Sequence, residues 1–451
     1  MHQKISFRTY AVIGTMLFGM FFGAGNLIFP IQMGQVAGTH FWPALIGFLV
    51  TAIGLPFMGI LAFGLSASNG LRELGERVHP KFGVVFAMAL YLTIGPFFAI
   101  PRTATVPFVV GFEPFINPDH ASLYLGLFSF VFFAIVYYFS LNPAKIIDYI
   151  GKYLTPAFLI FLFFLIIIAI VKPMGSFGTP TGDYSHLAFI TGFKEGYNTM
   201  DALASLAFGI VVINAIKGQG ITDKRTIAKA TWQSGIFAMA LMMLIYGLIT
   251  YMGASSVSII GTFDNGGLIF AKVAQHYFGE FGAILLAIII VLACLKTSIG
   301  LITSCSEFFN SIFPKVSYKM FVLILSLMSF IIANFGLNNI IQYAVPVLML
   351  LYPLAIVLIL LTLCSSFFNH KQSVYAASML LTFCVSFFDG YSTLVGSMPG
   401  AAISFFESIK AAYIEYLPLY SIGLGWILPA VVGAIIGYFW PTESKKHAIQ
   451  S

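Results

Sequence analysis

Charge is the first thing this sequence lacks. Asp, Glu, Lys and Arg together make up 8% of the 451 residues, against 59% apolar ones. With a mean hydropathy of +0.95, that balance excludes a soluble globular domain. Cysteine is scarce too: Cys294, Cys305, Cys364 and Cys384 fall within or at the ends of apolar runs, none in CxxC spacing, so neither a disulfide framework nor a zinc site is indicated. There is no HExxH, no Gly-x-Ser-x-Gly elbow and no clustered His or Asp motif, which argues against a membrane-embedded enzyme. Rings of charge or a repeated filter motif, which a channel needs, are missing as well. Alternating segments of strand length are absent, which argues against a β-barrel, and no linker rich in Pro, Ser or charge divides the chain. It reads as one membrane domain over 1–451.

What is present is a succession of apolar runs of about 20 residues, each long enough as a helix to cross a hydrocarbon core of about 30 Å. The pattern predicts an all-α polytopic membrane protein with twelve spans near 8–36, 40–67, 82–110, 121–140, 150–172, 189–215, 229–252, 281–311, 318–334, 338–363, 374–392 and 417–440. Of the 22 Lys and Arg, Arg102 and Lys296 lie inside spans, and the other 20 divide sixteen to four between alternate sets of loops. That asymmetry puts both termini in the cytoplasm. The net charge of +6 follows from it and does not imply nucleic acid, because no stacking aromatics accompany the basic residues. The first span is too long for a signal peptide and lacks a small-residue cleavage site. Leu71, Leu74 and Val78 of the loop "SNGLRELGERVHPKF" stand at helical spacing; a short interfacial helix and a solvated loop both fit.

The first span contains its own breaking point. "FGMFFGAGNLIFPI" (18–31) carries Gly19, Gly23, Gly25, Asn26 and Pro30 within a dozen positions. A second interrupted span, "TMDALASLAFGIVVINA" (199–215), has Ser205 and Gly209 around a weak stretch. Interrupted helices at corresponding positions of two halves point to inverted repeats with a binding site between them. The repeats are spans one to five (8–172) and six to ten (189–363), with two further helices over 374–440. An unwound backbone in lipid has unmet N–H and C=O groups unless it is buried in protein or binds something. The half-helix starting near Leu27 offers N–H groups and a positive dipole end to an anion, and the one ending near Phe22 offers carbonyls to a cation. Gly19 and Gly23 are also a small-xxx-small pair suited to plain helix packing.

"GMFFGAGNLIFPIQ", "GPFFAIPRTATVPF", "GYNTMDALASLAFGIVVINA" and "LACLKTSIGLITSCSEFF", in spans one, three, six and eight, resemble the bacterial branched-chain amino acid:cation symporters (the LIVCS, or BrnQ-type, family). Span one and "SLAFG" are also similar to the broken helices of the wider LeuT-type fold. The resemblance covers essentially the whole chain. It implies a 5+5 inverted repeat with helices 1 and 6 broken, in a bacterial plasma membrane, importing leucine, isoleucine and valine with sodium. It implies that Ala24 and Gly25 hold the substrate carboxylate through backbone N–H groups, with Asn26 beside them and Ser205 and Phe208 lining the side-chain pocket. Carbonyls of Gly19 and Phe22 then face the cation. A second sodium site is doubtful, because Leu203 stands where that fold uses a threonine. No cofactor beyond the coupling ion is implied, and the oligomeric state is unreadable.

Among the ionisable residues inside the span bounds, four stand out: Arg102, Asp201, Lys296 and Glu307. Such residues are functional candidates by default. Glu307 lies near the inner end of span eight and reaches water. Arg102 and Asp201 fall in the outer halves of spans three and six, where they would form a gate, a structural pair or separate snorkelling contacts. On span eight, a carbonyl at i with groups at i+3 and i+4 shares one face, and two registers fit. One uses Ala293, Lys296 and Thr297, with the ammonium replacing sodium and proton coupling as the consequence. The other uses Cys294, Thr297 and Ser298, with Lys296 turned away and sodium retained.

Overall fold

The computed structural model describes residues 7–66, 68, 70–141, 155–218, 223–396 and 404–441. The loop charges Lys4, Lys145, Lys152, Lys445 and Lys446 lie outside the described residues, as do the side chains of Arg8, Lys224 and Arg225. In lipid each backbone polar group must be satisfied within its own segment, and no strand occurs among the described residues. Span one forms α1 (Phe7–Phe21) and α2 (Ala24–Ala37). Span two forms α3 (Phe41–Leu49) and α4 (Leu55–Ser66), joined without interruption by a π turn at Val50–Gly54. The loop "SNGLRELGERVHPKF" forms a short helix, α5 (Leu71–Glu76), with Leu71 and Leu74 buried. Span three is α6 (Pro80–Leu92) and α7 (Ala99–Gly111), separated by a kinked π turn at Thr93–Phe97 where Pro96 has no N–H to give.

Then come α8 (Ala121–Ser140), α9 (Thr155–Val171), α10 (Tyr184–Glu195) and α11 (Asp201–Gly218). They are followed by α12 (Lys224–Ile260), α13 (Gly266–Ile312, kinked at Gly279), α14 (Tyr318–Ala333) and α15 (Leu337–Leu363). The chain continues through α16 (Gln372–Gly396), α17 (Ser404–Tyr416) and α18 (Ile427–Phe439). By length and composition seven helical segments among the described residues are able to cross a membrane, and three shorter apolar helices accompany them. Side-chain caps start several helices: Asp223 accepts from the Thr226 N–H at 2.9 Å, and Asn265 from the Leu268 N–H at 3.2 Å.

The packing pattern exposes the inverted repeat. Exchanging spans one to five with six to ten should turn the contact of span one with span seven into that of span six with span two. Both exist: α1 and α2 pack on α12, while α10 and α11 pack on α3 and α4. The α8–α13 contact has its counterpart in α14–α7, and α9–α13 in α15–α7. The α7–α13 and α8–α14 contacts map onto themselves. Helix α16 packs on α15, and α18 packs on α16.

Two of these seams are backbone against backbone. A Cβ on Gly34 of α2 would lie 2.1 Å from the Thr250 carbonyl of α12, and one on Gly253 would lie 2.1 Å from the Ile31 carbonyl. Nearer the start of α12, a Cβ on Gly14 of α1 would lie 2.8 Å from the Ser234 carbonyl. The mirror seam is as close: a Cβ on Gly47 would lie 1.9 Å from the Phe189 carbonyl, and one on Gly192 2.0 Å from that of Ala44. Small residues allow this approach, and dispersion is gained over its whole length.

The second break does not lie between Ser205 and Gly209, because α11 is continuous from Asp201 to Gly218. It lies at Met200, in the left-handed region with φ 61°, after a 3-10 turn over Gly196–Thr199. Gly209 serves packing instead: a Cβ there would lie 2.2 Å from the Phe63 ring.

Candidate functional site

The α1 ladder ends where the Phe22 N–H donates to the Phe18 carbonyl at 2.8 Å. The next donor, the extended Gly23, turns to Asn26 Oδ1 at 2.8 Å, so the Gly19 carbonyl loses its helical partner. Asn26 Nδ2 donates to Asp201 Oδ2 at 2.6 Å and also to the Tyr246 hydroxyl. Tyr246 in turn donates to Asp201 Oδ2 at 3.1 Å. One amide, one carboxylate and one phenol, all buried, thereby tie the first break to the second.

The second break has its own partners. Thr51, in the π turn of span two, donates to the Phe193 carbonyl at 2.8 Å. Thr199 Oγ1 donates to the Gly196 carbonyl at 2.9 Å and accepts from the Asp201 N–H at 3.3 Å, at the start of α11. Arg102 Nη1 donates to the Asn198 carbonyl at 2.8 Å.

Between the breaks lies a cavity of about 50 Å³, several times the roughly 10–15 Å³ that one water needs. Gly23, Ala24, Gly25 and Asn26 wall it on one side and Met200 and Asp201 on the other. Ile94, Phe208 and Leu301 make it apolar away from the breaks, and Arg102 and Thr297 also face it. Arg102 is 2% exposed, stands 5.3 Å from the Phe29 ring centroid, and has no partner for Nε or Nη2. No ion pair joins it to Asp201, although both line the cavity.

The structure thus brings Ala24, Gly25, Asn26, Phe208, Arg102, Asp201 and Thr297 together. Ser205 is placed elsewhere: its hydroxyl donates to the Ala202 carbonyl at 2.7 Å and sits 2.1 Å from where a Cβ on Gly59 of α4 would be. Phe22 is buried and stacks on Phe18 with ring centroids 4.9 Å apart. On α13, Thr297 Oγ1 donates to the Ala293 carbonyl at 3.3 Å and lies 3.5 Å from where a Cβ on Gly23 would be. This face of α13 therefore lies directly against the first break. Ser298 is buried with an unpartnered hydroxyl. Neither Ser298 nor the half-buried Lys296 is among the residues lining the cavity. No group of three or more His, Cys, Asp or Glu able to hold a metal ion occurs among the described residues, and the oxygens at the first break are neutral hydroxyl and carbonyl groups.

Sequence reasoning missed Tyr246, Thr199 and Phe29. Thr199 carried a signal: Thr followed two residues later by Asp is a helix start, cap and first-turn acid together. Tyr246 carried none.

A model of the family described as branched-chain amino acid transport protein matches residues 6–444. The chain is 46% identical to the branched-chain amino acid permease BrnQ of Bacillus subtilis, over 97% of this chain and 98% of that one. It is 38% identical to the BrnQ permease of Escherichia coli K12 over the full length of both. Among solved structures it is similar to Mhp1, a nucleobase-cation-symport-1 family transporter, at a TM-score of 0.59 and 13% identity, covering 95% of this chain and 91% of that one. It is also similar to a manganese transporter of Eremococcus coleocola, at a TM-score of 0.60 and 14% identity over 97% of each. These two likenesses establish a shared fold.

Proposed function

The chain belongs to the family of branched-chain amino acid transport proteins, and from that premise we propose that it imports leucine, isoleucine and valine by symport with sodium. The observation that carries this reading is the meeting of two broken helices at one cavity, with their unwound ends joined through Asn26 and Asp201. The first-turn N–H groups of α2, at Ala24 and Gly25, receive the substrate carboxylate, aided by the positive end of the half-helix. Phe208 and Leu301 receive the branched side chain. Sodium lies against the carbonyls of Gly19 and Phe22, the Ala293 carbonyl and the Thr297 hydroxyl, where α13 abuts the break. Neutral oxygens suit a monovalent cation better than a metal that demands charged ligands.

Transport proceeds by alternating access, with the site reached from one side of the membrane and then the other as the paired spans one, two, six and seven shift against the rest. Both termini are cytoplasmic and the membrane is the bacterial plasma membrane. Lys296 lies outside the cavity lining, which favours sodium over an ammonium-based proton mechanism. Uptake of the three labelled amino acids into proteoliposomes under separately imposed gradients is the test. Accumulation driven by a sodium gradient at equal pH is expected. Accumulation driven only by a proton gradient overturns sodium coupling, and uptake that neither saturates nor counterflows overturns the carrier reading.

A further inference from the structure

Two opposite charges face one cavity without meeting each other. Of the donors on Arg102, only Nη1 is used, on the Asn198 carbonyl, while Nε and Nη2 are buried without a partner. Folded proteins rarely leave a buried guanidinium unsatisfied unless it has something to meet. Across the cavity, Asp201 Oδ2 takes its bonds from Asn26 and Tyr246. Both donors are neutral, so no cation among these contacts balances the carboxyl group, which has further acceptor capacity. We infer that Arg102 receives the α-carboxylate of a zwitterionic amino acid and Asp201 its α-ammonium, so that the substrate bridges two groups that do not pair directly. The inference deepens the transport reading and rests on it.

The surroundings fix both ends. The Phe29 ring lies under the Arg102 guanidinium at 5.3 Å and also 3.2 Å from where a Cβ on Gly25 would stand. The guanidinium and the first turn of α2 therefore share one ring as a neighbour, and both line the cavity. A guanidinium offers a planar fork that matches a carboxylate, supplementing the backbone N–H groups with a full charge. On α11, Asp201, Ala204 and Phe208 follow at helical spacing and all line the cavity. Charge sits at the break and apolar surface below it, the order in which a neutral, branched amino acid presents its ends.

The experiment is calorimetric binding to the full-length carrier in lipid nanodiscs, with leucine, leucinol (no carboxylate) and 2-hydroxy-4-methylpentanoate (no ammonium). The native protein is expected to bind leucine at least 100-fold more tightly than either analogue. Arg102→Gln should weaken leucine at least 30-fold and shrink the leucine-to-leucinol ratio below 10, while the leucine-to-hydroxy-acid ratio stays. Asp201→Asn should do the converse, and Arg102→Lys should recover part of the loss. Native binding of leucine combined with an Arg102→Gln ratio within threefold of the native one overturns this inference alone. A native protein that binds none of leucine, isoleucine and valine overturns the transport reading and the inference together. Should Arg102→Gln not be recovered folded, phenylglyoxal labelling of the native carrier replaces it: leucine should protect Arg102 and leucinol should not, and labelling unchanged by leucine overturns the inference.

Discussion

Replacing Asn26 with alanine tests whether the two helix breaks act as one unit. The amide has three partners: the Gly23 N–H at 2.8 Å, Asp201 at 2.6 Å and the Tyr246 hydroxyl. Losing the charge-assisted bond to Asp201 costs about 1.5–3 kcal/mol, and the Gly23 N–H left buried and unmet costs about 1–3 kcal/mol more. Water entering the space left by the amide offsets part of this, so a value near the lower end of the summed range of about 2.5–6 kcal/mol, about 3 kcal/mol, is the working figure. Every 1.4 kcal/mol is a factor of about ten, so the assembled site becomes at least about 100-fold less populated. Apparent affinity falls by the same factor. Leucine binding to the purified carrier should therefore weaken about 100-fold in Asn26→Ala and about tenfold in Tyr246→Phe, which removes one hydroxyl. The ranking of leucine, isoleucine and valine should not move, because Phe208 and Leu301 are untouched. Combined with Asp201→Asn, the loss should be less than additive, as expected for groups in one network. An Asn26→Ala carrier that binds leucine within threefold of the native affinity refutes the argument.

Gly25→Val should abolish uptake while the protein remains inserted, since its Cβ meets the Phe29 ring at 3.2 Å and its branch crowds the backbone approach; near-normal uptake would contradict the assignment of the break. In competition assays the three branched amino acids should inhibit one another's uptake, and lysine and glutamate should not; strong inhibition by glutamate would show that the apolar end of the cavity is misread. Thr297→Ala should weaken sodium activation several-fold, because its hydroxyl faces the first break, and Lys296→Thr should change little; a sodium-driven carrier insensitive to both Thr297→Ala and Ser298→Ala would remove α13 from the ion site. Gly34→Leu should sharply reduce the yield of folded carrier in size-exclusion chromatography, because a Cβ there meets the Thr250 carbonyl at 2.1 Å; an unchanged elution profile and yield would contradict the close seam.

The first break was legible because its signal is local. Gly-Ala-Gly-Asn inside an apolar run leaves a helix no means of continuing smoothly, and Asn26 needs partners in lipid. The second was misplaced for a reason equally physical. In the stretch 205–209 a serine and a glycine looked like a weakness, whereas both face span two, with Ser205 against Gly59 and Gly209 against Phe63. Small residues mark close packing as often as interruption, and sequence alone does not say which neighbour approaches. The actual break carries the weaker-looking Thr-Met-Asp, where the cap and first-turn acid announce a new helix. Tyr246, by contrast, is one of 21 tyrosines, and only its position beside Asn26 and Asp201 distinguishes it. Arg102 and Asp201 were visible as charges in apolar spans, but that they share a cavity without pairing is a matter of tertiary geometry.

The unbroken helix beside each broken one has a mechanical consequence. Helix α12 runs without interruption past both halves of span one, touching α1 at Ser234 and α2 at Thr250, a separation of about 24 Å at 1.5 Å per residue. Span two does the same for span six, from Ala44 to Phe63. Each interruption is splinted, so it is not a joint about which the chain swings freely. An arriving amino acid then finds its receptors already set, and little of its binding energy is used to order them. In the alternating-access cycle proposed above, the movement then falls elsewhere, between the splinted four-span body and α7, α8, α13 and α14. Spin labels on α2 and α12 should hold their distance through the transport cycle while labels on α2 and α8 change theirs.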